Sequence, residues 1–259
     1  LTLPSESIMS ELSNEVDVEA IHAVRNFISS DLGKNLTDHW ENIYSSNSTS
    51  KAYSFNASEV ARRSLKNLAL RYMVSGKSHN SLELLRVQVT ESDNMTDTLS
   101  ALAALVNDDR LNSIDLASEL LSKFYLNWKD EPLVLNQWFQ LQASCQLPGG
   151  LNRVRLLIDH PAFDFNNPNK VRSLIGVFCS NNPTNFHCDK GDGYNFLADQ
   201  ILALDKLNPQ IASRLLNPLT RWRKFPQHRG NLMRVQLDRV ASENGLSRDT
   251  YEIASKGLK

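Results

Sequence analysis

Asn56, Asn94, Asn167 and Asn208 each stand directly ahead of a short amphipathic run, and this recurring punctuation constrains the fold most. An asparagine in that place accepts from the free N–H groups of a helix's first turn, so it marks where a helix starts. Glu59 and Asp97 follow three residues after Asn56 and Asn94, completing a capping-box pattern. Pro168 and Pro209 follow Asn167 and Asn208 at the first helical position, where a missing N–H costs nothing. Apolar residues then recur at helical spacing: Ala61, Leu65, Leu68 and Tyr72 after Asn56, and Met95, Leu99, Leu102 and Val106 after Asn94. Helical spacing also joins Ile21, Val24 and Ile28, and then Leu36, Trp40 and Ile43, with a break expected near Gly33.

The same rhythm continues to the end, and the predicted architecture is all-α with roughly a dozen helices. Strand alternation is absent, and ten glycines and nine prolines in 259 residues are few for a β-sandwich or barrel. Short amphipathic helices joined by tight breaks pack as antiparallel pairs. A series of such pairs makes a superhelical α-solenoid of the armadillo or HEAT kind, although no fixed-period motif is written in the chain. "SSNSTS" (45–50) is the most loop-like stretch, and "TNFHCDKGDG" is expected to form a loop after Asn182-Pro183. No linker divides the chain, so residues 1–259 read as a single domain.

Net charge is −1, which removes broad electrostatic binding to nucleic acid or to a membrane surface. No apolar run reaches the length of a membrane span. Cys145, Cys179 and Cys188 are too few and too scattered for a disulfide framework and suit a reducing cytoplasm. The first residues carry no basic region followed by an apolar one, and they lack an initiator Met, so the chain reads as a piece of a longer protein.

Metal chemistry is poorly served. Cys179, His187 and Cys188 have no second Cys-x-x-Cys or His-x-x-x-His partner, and no histidine precedes a glutamate as a zincin requires. No metal ligand is therefore assigned. The basic residues Arg221, Arg223, Lys224, Arg229 and Arg234 read first as a solvated helix face. Residues 208–225, "NPQIASRLLNPLTRWRKF", read as one helix with an apolar stripe of Ile211, Leu215, Leu219 and Trp222. Its second stripe, Gln210, Arg214, Asn217 and Arg221, is polar. Arg172 and Arg214 each follow an Asn-Pro helix start, where the positive end of the dipole disfavours a cation and favours an anion.

"DNMTDTLSALAAL" (93–105), "NPNKVRSLIGVF" (167–178) and "NPQIASRLLNPLTRWRKF" resemble the C-terminal helical domain of bacterial aminopeptidase N, a family of zinc-dependent gluzincin aminopeptidases. "LVLNQWFQLQAS" (133–144) and "LTLPSESIMSEL" (1–12) extend the resemblance over essentially the whole chain. The resemblance implies a domain that caps a thermolysin-like catalytic domain, encloses its cavity and restricts substrates to short peptides. The zinc and its ligands would lie upstream, with no cofactor in these residues. Arg172, Gln210 and Arg214 would face the peptide substrate, and the partner would be the catalytic domain of the same chain. "KGDGY" (190–194) departs from the family's D-G-S-G-Y, and Asn136 and Gln137 replace its charged pair before Trp138-Phe139. The other class left open by the residues is a free-standing solenoid scaffold for a protein partner.

Overall fold

A computed structural model describes residues 2–49 and 52–259, and among them every regular element is helical. The all-α expectation holds. The chain forms two compact units, one built mainly from His22–Leu141 and the other from Ser5–Ile21 and Gln142–Lys259. Helices that follow one another through short turns pack together, as an α-solenoid requires.

The first unit is made from α2 (Val18–Asn35, following α1, Glu6–Leu12), α3 (Thr37–Asn47), α4 (Ala57–Ser75), α5 (Ser81–Glu91), α6 (Met95–Leu105), α7 (Leu111–Trp128) and α8 (Pro132–Ala143). Asn56 and Asn94 cap as expected, accepting from the N–H groups of Glu59 and Asp97 at 3.0 Å each. Trp40 stacks on Tyr72 at 4.5 Å between ring centres and donates its indole N–H to the Leu32 carbonyl. Ala69 and Met73 complete that core.

The break expected near Gly33 falls instead at Leu36. Gly33 is inside α2 because a helix must pass there: a Cβ on it would lie 2.3 Å from the Tyr72 carbonyl and 2.6 Å from the Gly76 nitrogen. Of "SSNSTS", Ser45 to Asn47 extend α3, Ser48 and Thr49 leave it, and Ser50 lies outside the described residues.

Two expected apolar stripes turn outward in part, although Leu68 and Tyr72 of the second pack into the Trp40 core. Val24 and Ile28 are exposed on α2, as are Ala61 and Leu65 on α4. The buried face of α4 carries Arg63 and Asn67 beside Leu70 and Val74. Asn67 donates to Asp97 Oδ1 at 2.8 Å and accepts from Gln88 at 2.7 Å, while Lys66 pairs with the other Asp97 oxygen. Tyr44 donates to Gln88 Oε1 at 3.1 Å, so the polar cluster spans α3 to α6 and satisfies its members internally.

In the second unit α9 (Gly150–Ile158) precedes a helix that begins as α10 (Pro168–Val171) and ends as α11 (Val177–Asn181). The expected loop after Asn182 opens with one more turn of helix, α12 (Pro183–Phe186), because Pro183 suits a first helical position. Asn182 is fully buried and donates to the carbonyls of Ala143 and Cys145 at 2.9 and 2.8 Å.

Gly191, at φ +73°, turns the chain into α13 (Asp192–Asp205). A Cβ on Gly193 would meet the Phe186 carbonyl at 2.1 Å, so only glycine lets α13 pass that close. Tyr194, Leu197, Ile201 and Leu204, at helical spacing, form its buried face. Helices α14 (Pro209–Leu215), α15 (Asn217–Thr220), α16 (Gln227–Ala241) and α17 (Arg248–Leu258) finish the unit. Val235 and Tyr251 are exposed on α16 and α17.

Candidate functional site

The helix carrying Arg172 starts as the sequence predicts. Asn167 Oδ1 accepts from the Asn169 and Lys170 N–H groups at 3.0 and 3.4 Å, and Pro168 sits in the first turn. From Arg172 to Gly176 the helix then widens into a π turn, with Val177 N–H donating five residues back to Arg172. Val171, Leu174, Ile175 and Phe178 anchor both sides of that turn and are fully buried. Arg172 points outward, and its Nη1 donates to Asn169 Oδ1 at 3.0 Å. A π turn is a disruption that often marks functional sites.

Residues 208–225 are not one helix. Asn208 caps the Ile211 N–H at 3.2 Å, but Pro218 has no N–H for the Arg214 carbonyl and its ring crowds that carbonyl. The chain therefore breaks into α14, α15 and a 3-10 turn at Trp222–Lys224. Ile211, Leu215 and Leu219 are buried as expected, and Trp222, half-buried, donates its indole N–H to the Gly257 carbonyl at 3.0 Å. Arg214 consequently occupies the last turn of α14, where the dipole favours a cation. That reverses the expectation of a cation held at a helix start.

Gln210 and Arg214, four residues apart, share the exposed face of α14. Gly176 brings the two motifs together. A Cβ at Gly176, one turn after Arg172 on the same helix, would lie 3.8 Å from Leu215 Cδ2, so the end of α14 packs near the π turn through Leu215, the neighbour of Arg214. The patch extends to residues that the sequence did not single out. Half-buried Lys170 is pushed down by burial, with Asp164 pulling the other way. His160 is held below its ordinary value by burial first and by the Lys170 charge second, so it stays neutral near pH 7, and its Nδ1 accepts from Ala162 N–H at 3.1 Å. Cations presented beside a neutral amide suit carboxylates and peptide carbonyls.

The other basic residues are not a solvated face. Arg221 pairs with Glu11 at 2.8 Å. Arg223 donates to the Gly257 and Leu258 carbonyls at 3.1 and 3.0 Å, with its guanidinium 4.1 Å from the Trp222 ring centre. Lys224 holds the Glu11 carbonyl at 2.8 Å, and buried Arg229 binds Glu19 and Asp189. Arg234 lies 5.5 Å from the Trp222 ring centre. The first four are tied to carboxylates or carbonyls, while Arg234 stays exposed beside the Trp222 ring.

His187, considered as a metal ligand, is enclosed by aromatic rings, its Nδ1 2.9 Å from the Tyr194 hydroxyl. Burial pushes the Cys179 thiol well up and so against the thiolate a metal needs. Among the described residues no group of three or more His, Cys, Asp or Glu side chains is placed to hold a metal ion. No helix among them is long and apolar enough to cross a membrane.

Residues 1–259 match the family described as a domain of unknown function (DUF3458_C) with ARM repeats. The chain is 37% identical over 258 residues to aminopeptidase N of Escherichia coli K12, covering 100% of this chain and 29% of that protein. Aminopeptidase N of Haemophilus influenzae is 35% identical over 259 residues, with the same two shares covered. Under a third of each relative's length is therefore represented here. Among solved structures, that of Legionella pneumophila aminopeptidase A in complex with aspartic acid superposes with a TM-score of 0.90 at 32% identity, covering 100% of this chain and 31% of that one. The resemblance to aminopeptidase N read from the sequence is borne out. Matched over its whole length, the chain belongs to the DUF3458_C family of ARM-repeat domains.

Proposed function

We propose that residues 1–259 act as one C-terminal domain of a cytoplasmic, zinc-dependent aminopeptidase N that removes N-terminal amino acids from peptides. The domain closes over the catalytic domain of the same chain, encloses the active-site cavity and admits short peptides. Arg172, Gln210 and Arg214 face the peptide, the two cations toward carbonyls or a C-terminal carboxylate and Gln210 as a neutral hydrogen-bonding partner. The observation supporting this most is that Leu215, next to Arg214, comes within 3.8 Å of the Cβ position at Gly176, one turn after Arg172, although the two motifs are about forty positions apart. Buried side chains tie down the inner face of each element and leave these polar groups outward.

Zinc, when bound in such an enzyme, activates water for attack on a peptide carbonyl. The present residues do not fit that ion: His187 is committed to Tyr194 inside an aromatic box, and Cys179 is buried. No step of the reaction is assigned to them. Their work is to hold the peptide beyond its first bond.

The test is Arg214→Ala in the full-length enzyme, assayed with a tripeptide and with an alanyl anilide. Loss of one charge-assisted hydrogen bond is worth about 1.5–3 kcal/mol, or roughly ten- to a hundredfold in kcat/KM. That loss is expected for the tripeptide alone, because the anilide presents nothing for this cation to hold. Arg221 pairs with Glu11 and makes a poor comparison, so exposed Arg71 serves as the control. Equal small effects of Arg214→Ala and Arg71→Ala on both substrates would remove the assignment.

A further inference from the structure

The segment Ser5–Ile21 belongs to the second unit but lies far in sequence from the rest of it. Its ties are polar. Val16 N–H donates to the Lys224 carbonyl at 2.7 Å, and Lys224 Nζ donates to the carbonyls of Glu11 and Ser13 at 2.8 and 3.4 Å. Glu11 pairs with Arg221, Glu19 with Arg229, and Glu6 accepts from Gln146 at 3.3 Å. Val16 and Val18 are the only apolar side chains of the segment that are buried. A segment with so little apolar burial opens at lower cost than a core helix.

Beneath it is a cavity, walled by Val16, Val18 and Ile21 from the segment and by Pro183, His187 and Phe225 from the body. The His187 ring stacks on Phe225 at 4.4 Å and meets Phe186 and Tyr194 edge-on. Burial first, then the charges of Arg229 and Arg221, push His187 down to about 3. The groups around it come from every neighbouring element: Glu6 on α1, Glu19 on α2, Cys188 and Asp189 in the loop, Tyr194 on α13, Arg221 after α15 and Arg229 on α16. Glu19 and Asp189 are already bound to Arg229, and Glu6 to Gln146, so no free carboxylate stands ready for an imidazolium.

We propose that Ser5–Ile21 is an acid-released strap: His187 takes up a proton only once the strap lifts, so mild acid opens the strap ahead of the body beneath it. An ordinary histidine titrates near 6.5; lifting the strap removes part of the burial of His187 and moves it toward that value, with Arg229 and Arg221 still beside it, so lowering pH favours the open state. The opening constant then rises by at most about 25-fold from about pH 7 to about pH 5, the limit for a fully ordinary histidine, in a window above the titration of ordinary carboxylates. Glu19, held below its ordinary value by its hydrogen bond to Arg229, stays charged throughout that window.

Hydrogen–deuterium exchange of the 259-residue chain at the two pH values, referred to intrinsic exchange at each, tests this. Protection of the α1 amides should fall severalfold, by at most about 25-fold, while α13 and α16 keep theirs. His187→Phe, which retains a ring in the aromatic box, should abolish that dependence on pH. Unchanged α1 protection, an equal fall in α13 and α16, or the same fall in His187→Phe would each overturn the proposal. Lys224→Met loosens the strap without touching the ring. It should raise the NMR titration midpoint of His187 toward the ordinary value, and an unmoved midpoint would also overturn the proposal.

Discussion

Asp97→Ala should be among the most damaging single changes in the first unit. The carboxylate is 3% exposed and receives Lys66 Nζ, Asn67 Nδ2 at 2.8 Å and Asn94 Nδ2 at 3.2 Å. Removing it strands a mostly buried ammonium, and breaking a buried pair from one side costs about 3–5 kcal/mol. Lys66 retains 14% exposure, which relieves part of that cost and favours the lower end. The orphaned Asn67 donor adds about 1 kcal/mol. A loss of about 4 kcal/mol corresponds to a urea midpoint lower by about 1–2 M.

Tryptophan fluorescence reports this unit well, because Trp40, Trp128 and Trp138 lie in it and only Trp222 lies in the other. A second readout is Tyr44, pushed up to about 12 by burial first and by Asp97 second, which should titrate lower in the variant. Replacing both partners, Lys66→Met with Asp97→Leu, should recover most of the loss, since an apolar pair leaves no buried charge uncompensated. A single variant losing under about 1 kcal/mol, or a double variant no better than the single, would refute this account of the cluster.

Gly33→Ala should destabilise the first unit by several kcal/mol, about 3 or more, because its Cβ would sit 2.3 Å from a backbone oxygen; thermal unfolding checks it, and an unchanged Tm would contradict the close crossing. Asp205 receives the Ser247 N–H at 2.8 Å. Burial raises its carboxyl, but the hydrogen bonds from the Ser247 N–H and hydroxyl outweigh that and hold it below the ordinary 3.8. Its stabilisation is thus present above the unfolded value and lost as pH falls through the folded one, below about pH 4. Asp205→Asn should flatten that acid limb of stability and weaken α17, read by exchange of the Thr250 and Ala254 amides.

What the sequence disclosed follows how local each interaction is. Asn56, Asn94, Asn167 and Asn208 all cap as expected, because a cap joins groups two or three residues apart. Helix faces were less legible. Val24, Ile28, Ala61 and Leu65 fit an apolar stripe yet lie outward, since periodicity gives a face and not its neighbour. Arg63 and Asn67 take the inner positions because distant groups, Ser54 and Asp97, accept from them.

The polar stripe of 208–225 was legible in part: Gln210 and Arg214 do share a face, but Pro218 ends their helix early. Arg172 opens a π turn, for which no residue type is diagnostic. Glu19 and Arg229 are 210 positions apart, and nothing in either neighbourhood announces the other.

The π turn at Arg172–Gly176 also makes the length of this helix as constrained as its residue types. Each α-helical residue advances by about 100°, so removing one from the turn would rotate everything after it by that amount. Phe178, now fully buried against Phe186 and Phe196, would swing away from both rings. Descendants of this chain can therefore trade side chains on the outer face of 168–181 more freely than they can change its length. An insertion or deletion there would misalign two aromatic contacts at once, and the gaps that accumulate as such chains diverge belong in other parts of the sequence.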